Sequence, residues 1–181
     1  MSGERLLLQH RERRGTYAGS YQEHHQRVSL GGMKMDELRE LYTDTLMSFY
    51  LAPDRKGKIA DAQGLEGKNL SCGDRIKVFL QVEDGVIKDA KFTGYGCVIS
   101  QSSATVMCRM LLNKRLDEAK EMIDRFIDFM QGKDVPEELL GDALYFEGVR
   151  RFPSRVKCAT LAWHTAKELI QKLKGIQSDA G

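Results

Sequence analysis

The sequence predicts an α+β domain in which a small antiparallel sheet of about three strands packs against several α-helices. Two observations support this prediction. Apolar residues alternate with mostly polar ones from Ile76 to Phe92 around an Asp84-Gly85 turn, which is the pattern of a β-hairpin. After Cys97, apolar residues recur at helical spacing instead. Most helices therefore follow the strands along the chain, as in many α+β domains.

The ends of the chain differ in composition from its middle. Residues 1–34 are rich in Arg, Gln, His and Gly and lack apolar periodicity, so we predict a disordered leader there. For His10, His24 and His25 within it, we favour a solvated segment over a metal site. We expect one domain over residues 35–175 and a flexible tail over residues 176–181.

The first half of the predicted domain contains one helix and the sheet. A helix begins near Asp36, carries five apolar or aromatic residues at helical spacing and ends before Pro53. Residues 54–73 read as a loop with room for one short strand. The two strands of the hairpin follow, over residues 76–82 and 86–92.

The second half is predicted to be helical. One helix starts after Cys97, and a second runs from about Leu116 to Met130 with one apolar face. A shorter helix begins at Pro136, and the last helix spans roughly Ser154 to Lys174.

Composition and charge exclude several classes of protein. The longest apolar runs are only a few residues, so we expect no membrane-spanning segment, and the charged N-terminal segment does not resemble a signal peptide. We therefore expect a cytoplasmic protein with reduced thiols. The formal net charge is +2, and the chain after residue 34 is nearly neutral, which argues against nucleic-acid binding.

Three cysteines lie at positions suited to chemistry. Cys72 and Cys97 fall in glycine-containing turns, and Cys158 is placed in the first turns of a helix. Asp74 follows Cys72 across a glycine, so one soft and one hard ligand can turn toward the same ion. Three thiols and a carboxylate can close a tetrahedral zinc site, although a turn with an incidental cysteine also fits this short pattern.

From the residues alone, Cys158 has two possible roles and Cys108 has one. Cys158 is either a packed residue or a reactive thiol, and its neighbours Arg155 and Lys157 at a helix start favour the thiolate. Cys108 lies inside a helix with no glycine nearby, so we assign it to packing. His164 is expected on the surface.

Around these cysteines, the chain resembles the U-type iron–sulfur cluster assembly proteins, and within them the zinc-dependent SufU branch. The resemblance covers roughly residues 35–173. It depends on three motifs: Asn69-x-x-Cys72-Gly73-Asp74-Arg75; Asp89-Ala90-Lys91-Phe92-x-Gly94-x-Gly96-Cys97-x-Ile99-Ser100; and Phe152-Pro153-x-Arg155-x-Lys157-Cys158-Ala159-Thr160-Leu161-x-Trp163. The branch is indicated by an insert within residues 116–148 and by Lys157, which stands where the IscU scaffold type carries a histidine.

The resemblance implies a SufE/NifU-like fold and a set of roles. Cys72, Asp74, Cys97 and Cys158 would bind one zinc ion, and Cys72 would leave the ion to accept persulfide sulfur. The donor would be a SufS-type cysteine desulfurase, and the downstream partner a SufBCD-type cluster scaffold. Arg155 would supply positive charge near the thiolates or contact the desulfurase. The protein would thus be a sulfur-accepting partner of an enzyme rather than an enzyme acting alone.

The sequence departs from the family pattern at several positions. Leu70 replaces a usual proline, Asp54 a usual basic residue, and Gln101-Ser102-Ser103 a run of small residues. We expect these departures to alter partner contacts at most. Two other functions stay open: a scaffold on which an iron–sulfur cluster is assembled by the same four side chains, and an interaction module with a purely structural zinc site.

Overall fold

A three-stranded antiparallel sheet is packed against helices in the computed structural model, which describes residues 34–51 and 53–180 without the side chains of Leu38, Glu40 and Pro53. The predicted α+β class is confirmed. The strands are β1 (Gly64–Asn69), β2 (Asp74–Glu83) and β3 (Val86–Tyr95). The helices are α1 (Met35–Leu41), α2 (Asp44–Leu51), α3 (Val98–Leu111), α4 (Leu116–Met130) and α5 (Pro153–Asp179). Short 3₁₀ helices cover Pro53–Arg55, Glu137–Leu139 and Gly141–Arg151.

The sheet has the order β1-β2-β3, and its register decides where the candidate residues meet. Asn69 faces Asp74 as the last pair of the first hairpin, and Arg75 faces Tyr95 near the end of β3. The β1–β2 turn and the chain after β3 therefore emerge at the same end of the sheet. Cys72 lies in the first of these segments and Cys97 in the second.

The core lies between the sheet and two helices. Alternate residues of β2 and β3 are buried, including Ile76, Val78 and Phe92, and α5 packs on β1 and β2 while α3 packs on β3. Packing of β1 on α5 is close, because a Cβ atom at Gly67 would lie 2.0 Å from Oγ1 of Thr165. This contact brings the first turns of α5, with Cys158, to the end of the sheet where β1 finishes.

Several element boundaries differ from the sequence prediction, and both strands of the hairpin are longer than predicted. The helix predicted from Asp36 is broken at Tyr42 and Thr43, since the Thr43 hydroxyl accepts a hydrogen bond from the Leu46 amide (3.3 Å) and starts α2. The helix predicted at Pro136 is a 3₁₀ turn, and a second 3₁₀ segment begins at Gly141, whose φ is +52°. Helix α5 extends beyond Lys174 to Asp179.

The predictions for the two ends of the chain are not tested by the structure. The disordered leader and its three histidines lie outside the described residues, apart from the exposed Lys34. The flexibility of residues 176–181 stays a prediction, although α5 continues into that segment. None of the described helices combines the length and apolar character that crossing a membrane requires.

Candidate metal centre

The turn between β1 and β2 presents the Cys72 thiol at the surface. Asn69 organises this turn: its Oδ1 accepts a hydrogen bond from the Ser71 amide (3.1 Å), and its backbone carbonyl accepts one from the Gly73 amide (2.8 Å). Gly73 has a φ of +76°, a conformation that glycine adopts without strain. The turn thus exposes Cys72 on a backbone held by hydrogen bonds.

Asp74 is the first residue of β2, and its carboxylate is buried beside Cys97. Oδ1 of Asp74 accepts a hydrogen bond from the Cys97 amide (3.2 Å), and Oδ2 accepts one from the Cys97 thiol (3.6 Å). Gly96 makes this approach possible, because a Cβ atom there would lie 2.8 Å from Cγ of Asp74. The register of β2 against β3 therefore couples Asp74 to Cys97.

Cys158 lies at the buried side of the cluster, in the second turn of α5. Its sulfur is 3.5 Å from the sulfur of Cys72. The Cys158 thiol also donates to the Ser154 carbonyl (3.6 Å), and Nδ2 of Asn69 donates to the Cys158 sulfur (3.8 Å). One exposed and one buried thiol are therefore in direct contact.

The four predicted ligands have the donor chemistry of a zinc site, and three of them bring their ligand atoms close together. Among the described residues, the group with all its ligand atoms within 4.8 Å of one another consists of Cys72, Asp74 and Cys158, and Cys97 adjoins it through Asp74. Zinc–sulfur bonds of about 2.3 Å place two tetrahedral ligands roughly 3.8 Å apart. The observed spacings of 3.5 and 3.6 Å are close to that value, so the residues fit the ion.

The pKa values of the Cys97 and Cys158 thiols shift in opposite directions. A hydrogen bond with Cys158 lowers the pKa of Cys97 to about 6, although burial opposes this change. The pKa of Cys158 is raised by the same hydrogen bond and by burial. Of the two thiols, Cys97 is therefore the one that loses its proton more readily, and the thiolate that the sequence favours at Cys158 stays a prediction.

Two further side chains interact electrostatically with the thiols. Burial alone would lower the pKa of Arg155, but Tyr42, Cys97 and Cys158 raise it. Burial raises the pKa of Tyr42, and the two thiols act in the same direction. Arg155 therefore interacts with both thiols, and its role there stays a prediction; Tyr42, at the break between α1 and α2, adds a phenol that sequence reasoning missed.

The predictions for the other singled-out residues can also be compared with the structure. Cys108 is fully buried, which confirms its assignment to packing, and burial raises the pKa of its thiol. His164 is exposed, as predicted. In the sequence, Asn69 stands out only as part of a motif. Its contact with Cys158 spans 89 positions, and no local sequence pattern indicates such a contact.

The chain is similar to known proteins of iron–sulfur cluster assembly. Residues 41–179 match the family model described as NifU-like N terminal domain. Over 134 residues the chain is 40% identical to the iron-sulfur cluster assembly scaffold protein IscU of Thermotoga maritima, which covers 74% of this chain and 94% of that protein. It is 37% identical over 139 residues to the zinc-dependent sulfurtransferase SufU of Bacillus subtilis, covering 76% of this chain and 95% of that protein.

Solved structures share the fold. A crystal structure from Fervidobacterium islandicum AW-1, assigned as an iron-sulfur cluster assembly scaffold protein for the SUF system, superposes with a TM-score of 0.68 at 38% identity. The match covers 70% of this chain and 94% of that chain. A nitrogen-fixing NifU-like N-terminal protein from Brucella abortus, 23% identical, has the same fold with a TM-score of 0.71 and covers 77% of this chain and 98% of that chain.

Proposed function

Because the chain belongs to the NifU-like N-terminal domain family, we propose that it is a zinc-dependent sulfurtransferase that accepts persulfide sulfur from a SufS-type cysteine desulfurase. It then passes the sulfur to iron–sulfur cluster assembly, where a SufBCD-type scaffold is the downstream partner. One observation carries the proposal: the Cys72 thiol is exposed, yet its sulfur lies 3.5 Å from that of the buried Cys158. A partner can thus reach Cys72 while the rest of the cluster stays inside the protein.

The residues that would hold the zinc ion are Cys72, Asp74, Cys97 and Cys158. When bound, zinc would neutralise the charge of the grouped thiolates and keep the ligand-bearing segments in place. Arg155, which faces Cys97 and Cys158, balances further negative charge in the same cluster. The carboxylate of Asp74 is the odd ligand in a sulfur-rich set, and a cluster of this kind favours ligand exchange over a closed structural site.

The transfer step is a thiol–persulfide exchange. The Cys72 sulfur attacks the outer sulfur of the partner's cysteine persulfide, and a new sulfur–sulfur bond forms on Cys72. The sulfur–sulfur bond of the donor breaks, and its electron pair leaves with the donor's cysteine as a thiolate. No net oxidation occurs, so the step needs no further oxidant or reductant.

The proposal is tested by metal analysis of the purified protein together with turnover of the desulfurase. We expect one zinc per chain and stimulation of the desulfurase, which Cys72→Ala abolishes. Cys108→Ala is the matched control, since Cys108 is fully buried outside the cluster, and it should keep both properties. Stimulation that survives in Cys72→Ala would contradict the proposed acceptor.

Asp74→Ala provides a separate test of the carboxylate. The carboxylate accepts two hydrogen bonds from Cys97, so its loss should weaken zinc binding and stop sulfur transfer together. Zinc content and transfer that both stay at wild-type levels would exclude Asp74 from the site.

The second candidate function is a scaffold for iron–sulfur cluster assembly. It is favoured by the 40% identity to the Thermotoga maritima protein, which is named a scaffold. In this case the iron–sulfur cluster is cargo, and the same four side chains hold it. A coloured cluster bound tightly after anaerobic reconstitution, without stimulation of the desulfurase, would favour the scaffold over the sulfurtransferase.

A further inference from the structure

The buried side chain of Asn69 contacts both the turn that carries Cys72 and the Cys158 sulfur on α5. Its Oδ1 accepts a hydrogen bond from the backbone amide of Ser71, 3.1 Å away, in the turn that carries Cys72. Its Nδ2 lies 3.8 Å from the sulfur of Cys158 on α5. A backbone N–H can only donate, so the contact with Ser71 fixes the oxygen end of the amide, and the N–H end must face Cys158.

We propose that Asn69 is a positioning residue of this centre, whose side-chain N–H donates to the Cys158 sulfur and sets its strength as a ligand. The proposal rests on the metal site described under the proposed function. An N–H···S hydrogen bond withdraws electron density from a thiolate ligand and fixes its orientation. Asn69 thereby holds the Cys158 sulfur beside that of Cys72.

Besides the thiols of Cys72 and Cys97, Cys158 has two other hydrogen-bonding neighbours, the Ser154 carbonyl and the Arg155 side chain. The carbonyl, 3.6 Å from the sulfur, is only an acceptor, so it cannot donate to a sulfur that acts as a ligand. Arg155 and Asn69 can both donate, but Arg155 lies on the same helix as Cys158, whereas the Asn69 amide reaches the sulfur from the end of β1 and is buried where water competes little for the bond. Its second bond, to the turn of Cys72, makes the position of one thiol depend on that of the other.

Two substitutions separate the two ends of the amide. Asn69→Asp keeps an oxygen for the Ser71 amide but removes the N–H donor to sulfur. Asn69→Ala removes both and adds no charge. Metal-free protein is titrated with Co²⁺, and the thiolate-to-cobalt charge-transfer band is recorded together with the Co²⁺ affinity. We expect this band to move to lower energy in both variants, and the affinity of Asn69→Ala to fall by about tenfold or more.

The outcomes distinguish the inference from simpler roles. A shift in Asn69→Ala alone would mean that only the turn matters, and a shift in Asn69→Asp alone would reflect the added charge. Either result overturns the inference, as does a band that stays in place in both. If Asn69→Ala does not fold, Asn69→Gln replaces it: the longer amide cannot keep both contacts, and an unshifted band overturns the inference. A wild-type protein without any thiolate band would instead overturn the metal site under the proposed function.

Discussion

The sulfur of Cys72 lies 3.5 Å from the sulfur of Cys158, although 86 positions separate the two residues in the sequence. Cys72 is exposed on a turn, whereas Cys158 is fully buried in a helix. A chemical change at the exposed thiol can therefore involve the buried thiol directly.

Oxidation of metal-free protein should join this pair. A disulfide needs the two sulfurs to approach to about 2.05 Å, a short movement for a thiol on an exposed turn. We expect diamide to convert most molecules to a Cys72–Cys158 disulfide, and zinc added beforehand to prevent it. Peptide mapping by mass spectrometry measures the product.

Two variants control this experiment. Cys97→Ser should keep the crosslink, because the sulfurs of Cys72 and Cys158 are already in contact, whereas Cys158→Ser should abolish it. A product dominated by Cys72–Cys97 would show that the two sulfurs in contact are not the reactive pair. Cys108 should stay reduced throughout, since it is fully buried and burial raises its pKa.

Elements whose structure depends on a local sequence pattern could be predicted, and the others could not. Helix α4 has the predicted bounds, Leu116 and Met130, because its apolar face is strongly periodic. The break at Tyr42 and Thr43 was missed, since apolar spacing continues across it while the Thr43 hydroxyl caps a new helix. The 3₁₀ segment Gly141–Arg151 has no periodicity from which it could be recognised.

For the candidate site, the sequence indicated which residues to consider but not how they are paired. Cys72, Cys97 and Cys158 were singled out by nearby glycines or by a helix start. That Asp74 contacts Cys97 follows from the register of β2 against β3, and that Cys158 contacts Cys72 follows from how α5 packs on β1. Register and packing are long-range properties, so motif reading could not supply them.

Gln101 should be replaceable with a gain in stability. It is 3% exposed, and neither atom of its side-chain amide has a hydrogen-bond partner among the described residues. Burial of unpaired polar atoms costs about 1 to 3 kcal/mol. We expect Gln101→Met, which preserves the shape, to raise the free energy of unfolding in urea by about 1 kcal/mol or more. Gln177→Met, at an exposed position of α5, is the control and should change little.

A loss of stability in Gln101→Met would show that the amide has a favourable partner after all. The neighbouring serines are already satisfied: Ser102 donates to the Leu46 carbonyl (2.7 Å) and Ser103 to the Ala159 carbonyl (2.5 Å). The gain should therefore be specific to Gln101, and Ser103→Ala should destabilise the protein, because the indole N–H of Trp163 donates to that hydroxyl.

The ion pair of Asp54 and Arg109 should make stability depend on pH. Two hydrogen bonds, of 2.9 and 3.2 Å, join the side chains, and the bond from Arg109 lowers the pKa of Asp54. The unfolded chain then binds more protons, so the pair stabilises the fold above about pH 3.9, the unfolded pKa of Asp, and loses its effect as the pH falls through the lowered value. The Asp54 side chain is 46% exposed, so we expect Asp54→Asn to cost at most about 1 kcal/mol at pH 7.

Urea unfolding of metal-free wild type and Asp54→Asn between pH 7 and pH 3 measures this dependence. The difference between the two proteins should shrink toward pH 3, and salt should reduce it at pH 7. Arg109→Lys keeps the charge but not the two-bond geometry, so it should lose part of the same stability. A difference that is constant across the pH range would rule out the ion pair as its source.

Gly96 should be required for the metal centre rather than for the fold. A Cβ atom at Gly96 would lie 2.4 Å from Oγ of Ser100 and 2.8 Å from Cγ of Asp74. In Gly96→Ala the carboxylate must therefore move away from Cys97, whose amide and thiol both donate to it. We expect the zinc affinity, measured by competition with a chromophoric chelator, to fall by about tenfold or more.

Two further variants separate the effect on the Asp74 carboxylate from other effects of Gly96→Ala. Gly132→Ala tests the cost of a methyl group at a glycine with nothing within 4 Å and a φ of +88°; it should lower stability through backbone strain while leaving zinc affinity unchanged. Ser100→Ala removes only the hydroxyl contact, so combining it with Gly96→Ala should recover part of the affinity, because the contact with Asp74 persists. Full recovery in the double variant would show that Ser100, and not the position of the Asp74 carboxylate, limits metal binding.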